Sequence, residues 1–160
     1  MKTGKKYSIV FLTTLWSMAA FIIIFSQEFQ IAVNKTESIP YRYFLIWKGH
    51  IEAGKGHYMA FYAPENGRYH PAKAFIKRVV GTGGDKVQEK AGNFFVNDSL
   101  IGPWFKTDSK NRPLHPGPTG TIPDHYYFMA GAHAESFDSR YQEIGWIHEK
   151  NLIGRAYPLF

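Results

Sequence analysis

Twenty residues without a charge, Tyr7 to Ser26, constrain this chain of 160 residues more than any other feature. As a helix the run spans about 30 Å at 1.5 Å per residue, the thickness of a bilayer core. From Ile9 onward it reads IVFLTTLWSMAAFIIIFS, with isolated Thr and Ser and no polar face, so it poorly suits a buried core helix. A cleaved signal peptide has a shorter apolar region and a small-x-small end. This run ends in Phe25-Ser26-Gln27-Glu28 and reads as a retained anchor. Lys2, Lys5 and Lys6 precede it, which predicts a single pass with the N-terminus in the cytoplasm and the remainder exported. Residues 1–30 are then tip and anchor. Residues 31–160 form one exported domain, since that length leaves little room for a second core.

The exported part carries 16 basic and 12 acidic residues, scattered along the chain without a basic stripe, so no nucleic-acid partner is expected. The absence of cysteine excludes a thiol nucleophile, a disulfide framework and a Cys-based zinc site. The seven histidines include no His-Glu-x-x-His pair, and Gly81-Thr82-Gly83-Gly84 lacks the following helix of a dinucleotide site. Neither metal nor cofactor is called for.

After residue 30 the pattern is mainly β. Tyr43–Trp47, Tyr58–Ala63, Ala74–Val80, Lys86–Glu89, Phe94–Val96 and Tyr126–Ala130 are short β-branched or aromatic runs bounded by Gly, Pro, Asn or Asp. The aromatic segment 41–47 reads as a core strand, with the lipid interface as the alternative for some of its rings. Phe105 to Pro123, with Pro113, Pro116 and Pro118, predicts a long loop or small insertion.

Ser38 and Lys77 are the candidate chemistry. Serine is a poor nucleophile until a base takes its proton, and a neutral lysine amine is one such base. A lysine is almost fully protonated at neutral pH unless burial lowers its pKa. Lys77 lies within Ala74-Phe75-Ile76-Lys77, which reads as a buried strand, and Arg78 and Lys73 would favour the neutral amine further if close.

Three blocks carry a resemblance: Thr36-Glu37-Ser38-Ile39-Pro40, then Phe75-Ile76-Lys77-Arg78-Val79-Val80-Gly81 with Gly84-Asp85, then Ser136-Phe137-Asp138-Ser139-Arg140-Tyr141. In this order behind an anchor, the chain resembles type I signal peptidases, the membrane-anchored serine–lysine proteases, and is most similar to their TraF-like conjugative-transfer branch. The resemblance implies a signal-peptidase-like β-rich domain in which Ser38 is nucleophile and Lys77 base. It implies an oxyanion hole from the Thr36 hydroxyl and the Ser38 N–H, with Ser136 bonding the lysine and Arg78, Asp138 and Arg140 in support. The sequence departs from the family pattern in three places. His57 stands where an aspartate is usual, Gly131-Ala132-His133-Ala134-Glu135 replaces a Gly-Asp-Asn-Arg lead-in, and Tyr41-Arg42 follows Pro40 in place of a glycine.

The implied function is cleavage of a membrane-tethered preprotein or prepilin at the bacterial inner membrane, with the catalytic domain periplasmic. Pilin maturation in conjugation is the narrower expectation, cyclisation of the product being an option. A general signal peptidase and a non-catalytic assembly factor are the alternatives. Twelve residues from Ser26 to Ser38 reach at most about 40 Å, which keeps the site near the bilayer. The substrate would pair as an extended segment with a sheet edge beside Ser38.

Overall fold

The structure, a computed structural model, describes residues 2–36, 38–64 and 74–160, with the backbone alone for residues 2–9. Lys73 and Glu37 lie outside the described residues. Helix α1 (Lys2–Glu28) includes Val10–Glu28, a segment long and apolar enough to cross a membrane. Strand β1 (Phe29–Val33) starts at the next residue. It begins after Gln27-Glu28 close the apolar run, and its β-branched Ile31 and Val33 favour the extended chain. An aromatic ladder, Phe21–Phe25–Phe29–Trp47, carries packing across the junction. Lys48 Nζ caps it by donating to the Ser26 carbonyl at 2.6 Å.

The remainder is mainly β, as expected. β2 (Tyr43–Lys48), β3 (Tyr58–Tyr62), β4 (Ala74–Gly81), β5 (Lys86–Lys90), β6 (Asn93–Val96), β7 (Ser99–Pro103), β8 (Gly120–Thr121), β9 (Tyr126–Ala130), β10 (Ile147–His148) and β11 (Leu152–Pro158) follow in chain order. They form a seven-stranded sheet ordered β1-β2-β11-β3-β4-β9-β10 and a four-stranded sheet ordered β7-β6-β5-β8. The six strands expected from composition are all present to within one or two residues. The segment 105–123, read as a loop or insertion, carries isolated bridges Thr107↔Pro113 and Pro116↔Tyr141 and ends in β8.

Alternation fixes which side chains reach the interior. On β2, Phe44 and Ile46 are buried while Trp47 is exposed, so the aromatic segment is both core and surface. Phe44, Ile46, Ala60 and Ala156 pack with Ile39 in one cluster, which Ala32 and Ile76 join. Met59, Phe61, Val79, Met129, Ile144, Ile147 and Leu152 form a second. A third, around Val87, Phe94, Val96, Ile122 and Phe128, lies between the two sheets. β11 threads between β2 and β3, and Gly154 is required there because a Cβ would run into the Trp47 carbonyl.

Candidate active site

Ile39 is 4 % exposed and seats the Ser38 loop in the core cluster that also takes in Ala32 and Ile76. The loop is held locally. The Asn34 side-chain carbonyl accepts from the Thr36 amide (3.1 Å) and hydroxyl (3.0 Å), and the Asn34 amide donates to the carbonyls of Ile39 and Tyr41. The Thr36 and Ser38 hydroxyls are 2.8 Å apart. Two hydroxyls on one short turn are thus set side by side by a single asparagine.

Lys77 has a different setting. Its neighbour Ile76 faces the Ile39 cluster, so strand alternation sends Lys77 to the other face, where it is 3 % exposed. Its Nζ donates to Ser136 Oγ at 2.8 Å. Burial lowers the Lys77 pKa to about 8, with the nearby Asp138 carboxylate opposing that shift and the Arg140 cation adding to it. An appreciable fraction of the amine is therefore neutral near physiological pH.

Ser136 stands on a scaffold in which Asp138 and Arg140 are 0 % and 1 % exposed. Arg140 donates through Nε and Nη2 to the two Asp138 oxygens, both at 2.9 Å, and also to the carbonyls of Pro103, Ala134, His133 and Ser136. Asp138 additionally accepts the Gly131 N–H at 2.9 Å, while Ser139 exchanges two bonds with Met129 on β9. A buried ion pair with every donor occupied is the geometry in which burial is repaid by hydrogen bonds.

The two settings meet in one open cleft of about 630 Å³. Gln30, Ala32 and Asn34 line it from β1 and its exit, Ala74 to Lys77 from β4, and Thr36, Ser38 and Ser136 from between, with His133, Glu135 and Phe137 completing it. Of the sequence-derived residues, Thr36, Ser38, Lys77 and Ser136 line the cleft, while Asp138 and Arg140 sit behind it. Arg78 is exposed on the opposite side of β4 from Lys77, where its charge bears on Tyr58. His57, where the resemblance called for an aspartate, accepts the Gly54 N–H at 3.1 Å and shapes the turn into β3. Sequence reading passed over Asn34 and Gly131. Gly131 carries no signal until the fold shows that a Cβ there would strike both Ser136 Oγ and the Ser38 carbonyl.

Fold and site together define a β-rich domain behind an apolar helix, with a serine hydroxyl and a buried lysine amine opening on one cleft. The chain belongs to the signal peptidase family, peptidase S26, whose model matches residues 5–160. It is 32 % identical over 91 residues to a probable signal peptidase I-2 of Synechocystis, covering 54 % of this chain and 38 % of that protein. It is 39 % identical over 54 residues to the conjugal transfer protein TraF of Agrobacterium fabrum, covering 34 % and 30 % respectively. The chain thus spans about a third of the length of the curated relatives it matches. A crystal structure of signal peptidase I from Enterococcus faecalis aligns with a TM-score of 0.44 at 23 % identity, over 65 % of this chain and 96 % of that one.

Proposed function

We propose that this chain is a membrane-anchored serine endopeptidase that removes leader segments from exported polypeptides. Ser38 Oγ attacks the scissile carbonyl as its proton passes to neutral Lys77 Nζ. The lysine then returns that proton to the leaving amine; water, deprotonated by the now neutral Lys77, attacks the acyl carbon, and Lys77 gives the proton back to Ser38 Oγ as the acyl group leaves as the acid. The Ser38 N–H and the Thr36 hydroxyl, its proton turned away from Asn34 Oδ1, donate to the oxyanion. The observation that carries this reading is the buried Lys77 amine, held by Ser136 in the cleft onto which Ser38 opens. Asp138 and Arg140 hold Ser136 in place; Arg78 supports the strand from outside.

An extended substrate lies along the cleft, beside the β1 and β4 residues that line it. The other face of β1 presents Phe29 and Ile31, opposite Trp47 and Leu45 on β2. Ile31 is 66 % exposed, and this face continues directly from the helix. It rests on the lipid interface, with the anchor crossing the inner membrane and the cleft on its periplasmic side, about one sheet spacing of ~10 Å away. Similarity to a conjugal transfer protein favours a substrate of that machinery, a prepilin whose own amine could replace water as acceptor and close a ring. A general preprotein peptidase is the second reading, favoured by similarity to the probable signal peptidase I-2.

The test is processing of a co-expressed membrane-tethered precursor with Ala-x-Ala before its cut, and of a candidate prepilin, by the full chain. Ser38→Ala and Lys77→Ala should each abolish processing. Unchanged processing by either would leave only an assembly role for the domain.

A further inference from the structure

We infer that His133 is a positioning residue that holds the Ser38 loop and the Lys77–Ser136 pair in one register. The inference rests on the serine–lysine reading above. His133 is one hydrogen bond from each half of the site. Its N–H donates to the Ser38 carbonyl at 3.3 Å, and its own carbonyl accepts the Ser136 N–H at 3.0 Å and Arg140 Nη2 at 3.1 Å. Ser136 in turn accepts from Lys77 at 2.8 Å, so the path from nucleophile loop to base runs through this single backbone unit.

The imidazole determines how the turn is held. Nδ1 accepts the Glu135 N–H at 3.2 Å, a bond from a side chain to the amide two residues on, as Asn and Asp make in Asx turns. That role assigns the neutral ring's proton to Nε2. The turn has little freedom elsewhere. At its start a Cβ on Gly131 would strike both Ser136 Oγ and the Ser38 carbonyl, and at its end Arg140 binds the carbonyls of Ala134 and Ser136. The His133 ring itself is exposed and lines the cleft, so removing it opens no core cavity.

The experiment compares His133→Ala and His133→Asn in the full chain in nanodiscs, using an internally quenched Ala-x-Ala peptide and amide exchange at residues 133–136. Misplacement of a reacting group by about 1 Å costs up to roughly a hundredfold. His133→Ala should therefore lower kcat ten- to a hundredfold with KM within twofold, and His133→Asn, which retains an acceptor for the Glu135 N–H, should recover most of it. Exchange at Glu135 and Ser136 should accelerate about tenfold in the alanine variant alone. A loss confined to KM, an asparagine variant as poor as alanine, or unchanged exchange would overturn the inference. Exchange reads the turn without catalysis, so it still decides if the Ser38→Ala control shows that the serine–lysine reading has failed.

Discussion

The two halves of the cleft are built by opposite means. The Ser38 half is a short loop seated by Ile39, where the side-chain bonds of Asn34 all fall within seven residues and one backbone bond, from His133 N–H to the Ser38 carbonyl, comes from afar. The Lys77 half is buried and long-range. Ser136 reaches the lysine across 59 positions, and Arg140 ties the region to Pro103 on β7. An amine must be desolvated to be a base at neutral pH, and burying it requires a scaffold that keeps its polar groups paired. A hydroxyl needs no burial and must instead meet an incoming chain. Under the proposed function, the substrate approaches the half left open.

The largest effect should come from breaking the buried half. Arg140→Ala leaves the buried Asp138 carboxyl without its guanidinium partner, and breaking such a pair costs about 3–5 kcal/mol. Urea unfolding should show a much lower midpoint; a shift no larger than for a surface substitution would mean the pair is not structural. The open half should respond in rate and not in stability. Thr36→Val should reduce kcat about a hundredfold or more, the usual cost of one oxyanion donor, with the urea midpoint nearly unchanged. Equal losses of stability in both variants would erase the contrast. The smallest effect tests how the open half sits on lipid. The chain has no cysteine, so Ile31→Cys and Leu100→Cys each give one label site. A fluorophore at residue 31 should be quenched by nitroxide lipids in nanodiscs, and one at the equally exposed residue 100 should not; similar quenching at both would place the β1 face away from lipid.

The sequence displayed these halves unequally. Strands rich in β-branched or aromatic residues, such as Ala74–Gly81 and Tyr126–Ala130, declared themselves locally. β11 did not, because Leu-Ile-Gly-Arg-Ala-Tyr-Pro contains the glycine and proline that ordinarily end strands. Its glycine is demanded by a close approach to Trp47 that only tertiary packing creates. β1 was concealed by the apolar run it continues, and β10 has two residues and no pattern of its own. The Lys77–Ser136 contact was expected from the resemblance and is present. The reach of Arg140 to Pro103 and the turn at His133 had no local signature, since each joins segments distant in sequence or depends on a backbone shape.

The pH dependence of kcat/KM for the full chain in lipid tests the shared chemistry of the two halves most directly. Only the neutral lysine accepts the serine proton, so a Lys77 pKa of about 8 puts activity on the rise through that pH, falling about tenfold per unit below it. An acidic limb with an apparent pKa near 8, in an enzyme that Ser38→Ala silences, is the expected result. Activity that is flat from pH 6 to 9, or that persists in the alanine variant, would contradict the assignment of Ser38 and Lys77.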